Sequence, residues 1–334
     1  MTGKAQPPDN MAKIPAQLLP QLGSTPAPGV AGRALAASRL DARSPARVAD
    51  ALVRTRFSAR ARNTAPRSGA LPFLYRSLGF CLALTWLGLA TPAFASPPPG
   101  YKLAWSDDFK GSSLDTNKWG YWLAGRRRDA TNTANAVSVA DGRVTLTTYT
   151  EGGKHYTGMI STAGKFEPVH GYWEARIRYA DSPGMWSAFW LQSPTMGRPV
   201  GDTAKAGVEI DICEHRFTDN EGADLAAKVQ HTLHWDGYGR DHKSKAHLTP
   251  DRQLDQGFHV YGCEITTNGY RFFVDDELTW TVNEAVSNAK EFVILSSEVE
   301  DHAWSGHIPA GGYGDLAHSR TQMTVEYVRY YARE

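Results

Sequence analysis

Cysteine is scarce in this chain: 334 residues hold three, Cys81, Cys213 and Cys263. Their spacing matches neither a zinc site nor a disulfide framework. Cys213 and Cys263 are expected as buried free thiols, because Cys packs well as a small apolar residue. Glutamate is absent from residues 1–95, which carry 12 Lys/Arg and 3 Asp, a net charge of +9. Residues 96–334 then hold 24 basic and 32 acidic side chains, a net −8. So acidic a remainder argues against nucleic acid as a partner, since phosphate binding needs Lys/Arg on the contacting face. No unbroken apolar run approaches the ~20 residues of a membrane span, so no stable membrane insertion is expected. The chain also lacks a Gly-x-Ser-x-Gly elbow and a His-Glu-x-x-His pair, which leaves protease and esterase readings without support.

What is present is unevenly placed. Positions 77–96 read SLGFCLALTWLGLATPAFAS, with Arg76 before an apolar core from Phe80 to Ala90 and Ala93-Phe94-Ala95 after it. A basic flank, a short apolar core and an A-x-A site read as a signal peptide over 77–95. Cleavage near Ala95 and export, to the medium or the periplasm, are expected. Residues 1–76, rich in Ala, Arg, Pro and Ser, read as a disordered or misassigned extension. Pro97-Pro98-Pro99-Gly100 is a short stiff linker, and 96–334 is expected to form one domain. Nine of the 10 Trp and 13 of the 14 Tyr fall after residue 100.

Within that domain, helical periodicity is scarce and short alternating runs dominate. Residues 137–139 and 143–149 flank Asp141-Gly142, a hairpin signal. Further strands are expected at 172–179, 186–191, 208–215, 230–235, 259–265, 270–274, 292–299 and 324–331. At least ten strands without convincing helices imply an all-β protein of two stacked sheets, a jelly-roll-like sandwich. A sandwich of this size can curve, and a curved inner sheet makes an open cleft.

The most informative segment is Gly207-Val-Glu-Ile-Asp-Ile-Cys-Glu-His215. Glu209 and Asp211, two apart, share one face of a strand. Glu214 is five residues after Glu209, an odd offset that points it the other way. One extra residue, a β-bulge within Ile212-Cys213, restores it to the same face. The two Glu backbones then stand roughly 13 Å apart. Long side chains leaning together close this to about 5 Å, the separation of retaining glycoside hydrolysis.

The segment resembles the glycoside hydrolases of family 16, whose signature Glu-x-Asp-x-x-Glu stands here as Glu-Ile-Asp-Ile-Cys-Glu. The resemblance extends from Trp105-Ser-Asp-Asp-Phe109, through Gly171-Tyr-Trp-Glu-Ala-Arg176 and Gly184-Met-Trp-Ser-Ala-Phe-Trp190, to Tyr327-Val-Arg-Tyr330. It implies a concanavalin-like sandwich, with Glu209 as nucleophile, Asp211 as its assistant and Glu214 as general acid/base. It also implies a cleft lined by Trp186. By alternation Trp186 and Trp190 share a face around Ala188, which suits stacking against the C–H faces of sugars. His234, on the face of Gln230 and Thr232, is placed as a cleft residue that hydrogen-bonds substrate, with Trp235 as a further substrate contact. Tyr238 and Arg126-Arg-Arg128 are weaker candidates, the arginines for an anionic galactan. Some family members hold a structural calcium, which would fall near Asp107-Asp108 and Glu326. The usual acid in the last strand is Asp, so Glu326 is a departure.

The expectation is therefore an exported, retaining endo-glycosidase acting as a monomer on internal β-linkages of a polysaccharide. The substrate class is a β-1,3- or β-1,3-1,4-glucan, with no cofactor required. Agarase- or carrageenase-like galactan hydrolysis is the alternative. A non-catalytic lectin of the same fold is another, against which three acids in register count.

Overall fold

Alternation along Gly171–Ala180 sends Trp173, Ala175, Ile177 and Tyr179 to one face, where they pack against Phe189, Leu191, Ile210, Ile212, Leu233, Val293 and Leu295. That packing joins the two main sheets of a computed structural model, which describes residues 97–334. The expected signal peptide, the preceding extension and Cys81 lie outside the described residues.

The eight-stranded sheet runs, edge to edge, Glu277–Val282, Gly269–Val274, His259–Thr266, Gly171–Ala180, Gln322–Arg333, Arg143–Thr147, Val137–Ala140, with Tyr101–Asp107 also paired to Gln322–Arg333. The seven-stranded sheet runs Lys243–Leu248, Gln230–Trp235, Glu209–Arg216, Met185–Gln192, Phe292–Val299, Met159–Ser161, Gly120–Tyr121. A small four-stranded sheet, Gly125–Arg127, Ala130–Asn132, Lys154–Thr157 and Tyr149–Glu151, holds the one parallel pair among the described strands. The single α-helical turn among the described residues is Thr203–Ala206. The all-β sandwich anticipated from the strand pattern is therefore present, and each predicted run falls on a strand.

The core between the sheets is apolar and closely filled. Trp173 and Phe189 are 1% and 0% exposed, and truncating either to Ala would cost about 3–5 kcal/mol. Cys213 and Cys263 are both free and both buried, as expected. With the inner faces occupied by this core, each sheet has one outward face left, and the two outward faces differ sharply in chemistry.

Candidate active site

The strand Glu209–Arg216 lies between Met185–Gln192 and Gln230–Trp235. Its register slips once against each neighbour. On one side Phe189 faces Cys213 and Trp190 faces Asp211, leaving Ile212 as an extra residue. On the other, Asp211 faces Thr232 and Glu214 faces Gln230. Ile212 and Cys213 both point into the core, so Glu214 returns to the outward face of Glu209 and Asp211. The bulge needed to align the three acids is present at the place the spacing demanded.

His231, between Thr232 and Gln230, meets the gap that the bulge opens. Its Nδ1 is 2.6 Å from the Ile212 carbonyl oxygen and its Nε2 is 2.9 Å from the Thr279 hydroxyl. Burial pushes its pKa down to about 4. The neutral ring donates from Nδ1 to the bulge carbonyl, with Nε2 set beside the Thr279 hydroxyl. A side chain thus satisfies a backbone group that the broken ladder leaves over.

The acids are nearly covered, Glu209 8% and Asp211 4% exposed. Tyr238 donates its hydroxyl hydrogen to Glu209 Oε2. Gln192 Nε2 donates to the same oxygen at 3.1 Å. His234 Nε2 stands 3.3 Å from Asp211 Oδ2 and 3.9 Å from Glu209 Oε1, while its Nδ1 is 2.9 Å from His242 Nε2. Thr232 donates its hydroxyl hydrogen to Glu214 Oε2 at 2.9 Å and receives Gln230 Nε2 at 3.2 Å. That arrangement leaves Glu214 Oε1 for a proton and a leaving-group oxygen.

These surroundings separate the three acids electrically. Burial pushes Glu214 up to about 8, helped by the negative charge of Asp211. Asp211 is driven well above the ordinary range by burial, then by the charges of Glu209 and Glu298. Burial raises Glu209 too, but His234, the Tyr238 hydrogen bond and Arg127 pull against it. Glu209 is therefore the acid best kept ionised, and Glu214 holds its proton at neutral pH. Two carboxyl groups with opposed protonation states on one face can act as base or nucleophile and as acid.

The remaining predicted residues divide. His234 joins the acids. Trp186 lies on their face, but is 7% exposed, with the Arg128 guanidinium 5.0 Å over its ring and Trp304 edge-on at 5.6 Å. Trp190 is also 7% exposed, packed with Met159, Phe292 and Ile294 beneath Trp122 and Leu123, its indole N–H 3.0 Å from Ser296 Oγ. Its ring lies on the acids' face, opposite Asp211, with most of its surface taken up by this packing. Trp235 must be corrected outright: alternation puts it with Leu233 on the inner face, against the core and away from the acids. Tyr238 proves to be a direct contact of Glu209. Arg127 binds both oxygens of Glu298 at 2.9 Å, and Arg128 adds 2.8 Å to one of them. Despite burial, the two arginines hold Glu298 below the usual carboxylate range.

Gln192, Glu298 and His242 were not singled out in the sequence. Gln192 was within reach, since it continues the alternating set Trp186, Ala188, Trp190 and lies opposite Glu209. His242 sits, with Tyr238, in the connection after Gln230–Trp235, and no local pattern marks it.

The acids expected near a calcium do not suit one. Asp107 accepts from the Phe109 amide and the Trp119 indole, both at 2.9 Å. Asp108 pairs with Lys110 and Arg329, and Glu326 is bound by Arg143 and Arg176. Carboxylates so engaged with donors and cations are not a hard-cation cage.

Comparison with known proteins bears on the whole arrangement. The profile of the family described as beta-porphyranase A–D, GH16 domain, matches residues 102–333. Beta-porphyranase E of Zobellia galactanivorans is 31% identical over 198 residues, 54% of this chain and 68% of that protein. Glucan endo-1,3-beta-glucosidase A1 of Niallia circulans is 22% identical over 275 residues, 70% of this chain and 38% of that protein. The chain thus spans about two thirds of the first and well under half of the second. Among solved structures, a laminarinase from Flavobacterium sp. UMI-01 aligns with a TM-score of 0.54 at 27% identity, covering 69% of this chain and 100% of that one.

Proposed function

The chain belongs to the beta-porphyranase A–D GH16 domain family, and on that premise we propose that it is a retaining endo-glycosidase with Glu209, Asp211 and Glu214 as its catalytic carboxylates. The observation that carries the reading is the bulge at Ile212, which puts all three acids on one outward strand face. Glu209, ionised and aimed by Tyr238 and Gln192, attacks the anomeric carbon. Glu214, protonated, gives its proton to the departing glycosidic oxygen. Water then displaces the enzyme from the sugar, with Glu214 as base. Asp211, between the two glutamates on the same face, assists Glu209 and by its charge helps keep the proton on Glu214. Esterifying Glu209 removes its charge and lowers the pKa of Glu214 just when a base is needed. His234 and the exposed edge of Trp186 contact the sugar.

The substrate is proposed as a β-1,3- or β-1,3-1,4-glucan, supported by the named activities of the Niallia and Flavobacterium relatives. A galactan such as porphyran is the second reading, favoured by the matching family and by beta-porphyranase E. Export after cleavage near Ala95, action as a monomer and independence of a cofactor complete the proposal. Reducing ends released from a panel of β-1,3-glucan, mixed-linkage glucan, porphyran and agarose test it. Release from the glucans supports the lead reading, and release from porphyran alone replaces it with the second. Release from none removes the enzymatic reading.

A further inference from the structure

All eleven histidines of the chain lie between His155 and His318, and two of them face each other across a tight loop far from the catalytic strand in sequence. We propose that Asp301, His302 and His307 form a binding site for one divalent transition-metal ion of the zinc class. Ala303 and Gly306 form an isolated antiparallel bridge, so the next facing pair along that ladder is His302 and His307. Residues directly opposite in such a pair bring their side chains together, and the two imidazole rings are 4.3 Å apart at 60°. His302 adopts φ 53, a left-handed conformation uncommon in any residue with a Cβ.

Asp301 supplies the carboxylate. Its Oδ1 accepts from the His302 amide at 3.0 Å and from the Ile308 amide at 2.9 Å, so both ends of the loop hold the group in place. His302 Nε2 is 3.4 Å from Asp301 Oδ2 and His307 Nδ1 is 4.0 Å from Asp301 Oδ1. One donor atom from each residue lies within 4.8 Å of the others. A tetrahedral ion with ligand bonds of about 2.0–2.2 Å spaces its donors roughly 3.3–3.5 Å apart, so closing the set takes only small side-chain rotations. Two imidazoles and one carboxylate select zinc-like ions over magnesium or calcium. All three side chains are solvent-accessible, which leaves the fourth position to water.

The loop reaches the proposed cleft. Trp304, inside it, packs edge-on against Trp186, while Arg216 lies 4.1 Å over the Trp304 ring and donates to its carbonyl at 2.5 Å. An ion joining His302 to His307 closes the loop at its base and holds Trp304 against Trp186. The site is separate from the catalytic reading, and its test does not depend on activity.

Equilibrium dialysis of the tag-free full chain against zinc chloride is the experiment, with melting temperature as a second readout. One zinc ion per chain is expected. His302→Ala and His307→Ala are each expected to weaken binding at least tenfold and to abolish the zinc-dependent rise in melting temperature, while melting like wild type without zinc. Glu209→Gln is expected to bind zinc as wild type does. Absence of zinc binding, or binding unchanged in both histidine variants, overturns the site. Loss of binding in Glu209→Gln also overturns it, by placing the ion on the other cluster of matching composition, Glu209, Asp211 and His234.

Discussion

The two outward faces of the sandwich both carry covered carboxylates among aromatic rings, yet only one has the makings of a reaction. On the eight-stranded sheet, acids and bases are matched. Glu326 is held by Arg143 and Arg176, Glu264 by Arg271, and Glu174 accepts from Tyr331 with Arg329 3.7 Å away. On the seven-stranded sheet, three acids converge on one strand, while Arg127 and Arg128 are engaged with Glu298, and Arg216 with the Trp304 carbonyl and ring. A raised pKa does not distinguish the faces, since burial lifts Glu174 to about 7 as it lifts Glu214 to about 8. What distinguishes them is convergence: several acids on one strand face, unequal in their partners.

Breaking the acidic face should have the largest effect. Glu209→Gln is expected to lower kcat on the order of 10⁴-fold or more, with fold and sugar binding intact, because no core contact is touched. Steady-state kinetics with thermal melting check this. Activity within tenfold of wild type would remove Glu209 from the role.

Glu214→Ala should follow closely. Glu214 is active as an acid only while protonated, so in the wild type kcat/KM should fall as pH rises through about 8. The variant should lose that alkaline limb. On a substrate with an activated leaving group it should be partly rescued by azide, which needs no base, to give a β-glycosyl azide.

Trp186→Ala is expected to raise KM by roughly tenfold, as loss of one ring-to-sugar stack of about 1–1.5 kcal/mol implies, with kcat little changed. A large fall in melting temperature with unchanged kinetics would make Trp186 a packing residue only.

The opposite face should respond in stability alone. Glu174 has a folded-state pKa of about 7 against an ordinary 4.5, so the fold holds its proton. Its contribution to stability is full below about 4.5 and declines as pH rises through about 7. Glu174→Gln should flatten that decline in melting temperature and leave kcat/KM within twofold. A large catalytic loss there would erase the distinction between the faces.

Much of this contrast was legible in the chain. Alternation located the strands, and the five-residue step from Glu209 to Glu214 required a bulge within Ile212-Cys213. Alternation also separates Trp235 from His234 and sends it to the inner face. The partners that tell the three acids apart come from distant strands and connections: Tyr238 and His242 beyond one strand, Gln192 from another, Arg127 and Glu298 from two more. No local period encodes which of these meets which carboxylate, because that depends on register across the sheet.

The central claim is double displacement by Glu209 with Glu214 as acid and then base. Proton NMR of the first product released from a β-linked substrate, recorded before mutarotation, tests it most directly. The account predicts a newly formed reducing end in the β configuration. An α anomer appearing first would mean a single inverting displacement, and Glu209 could not be the nucleophile.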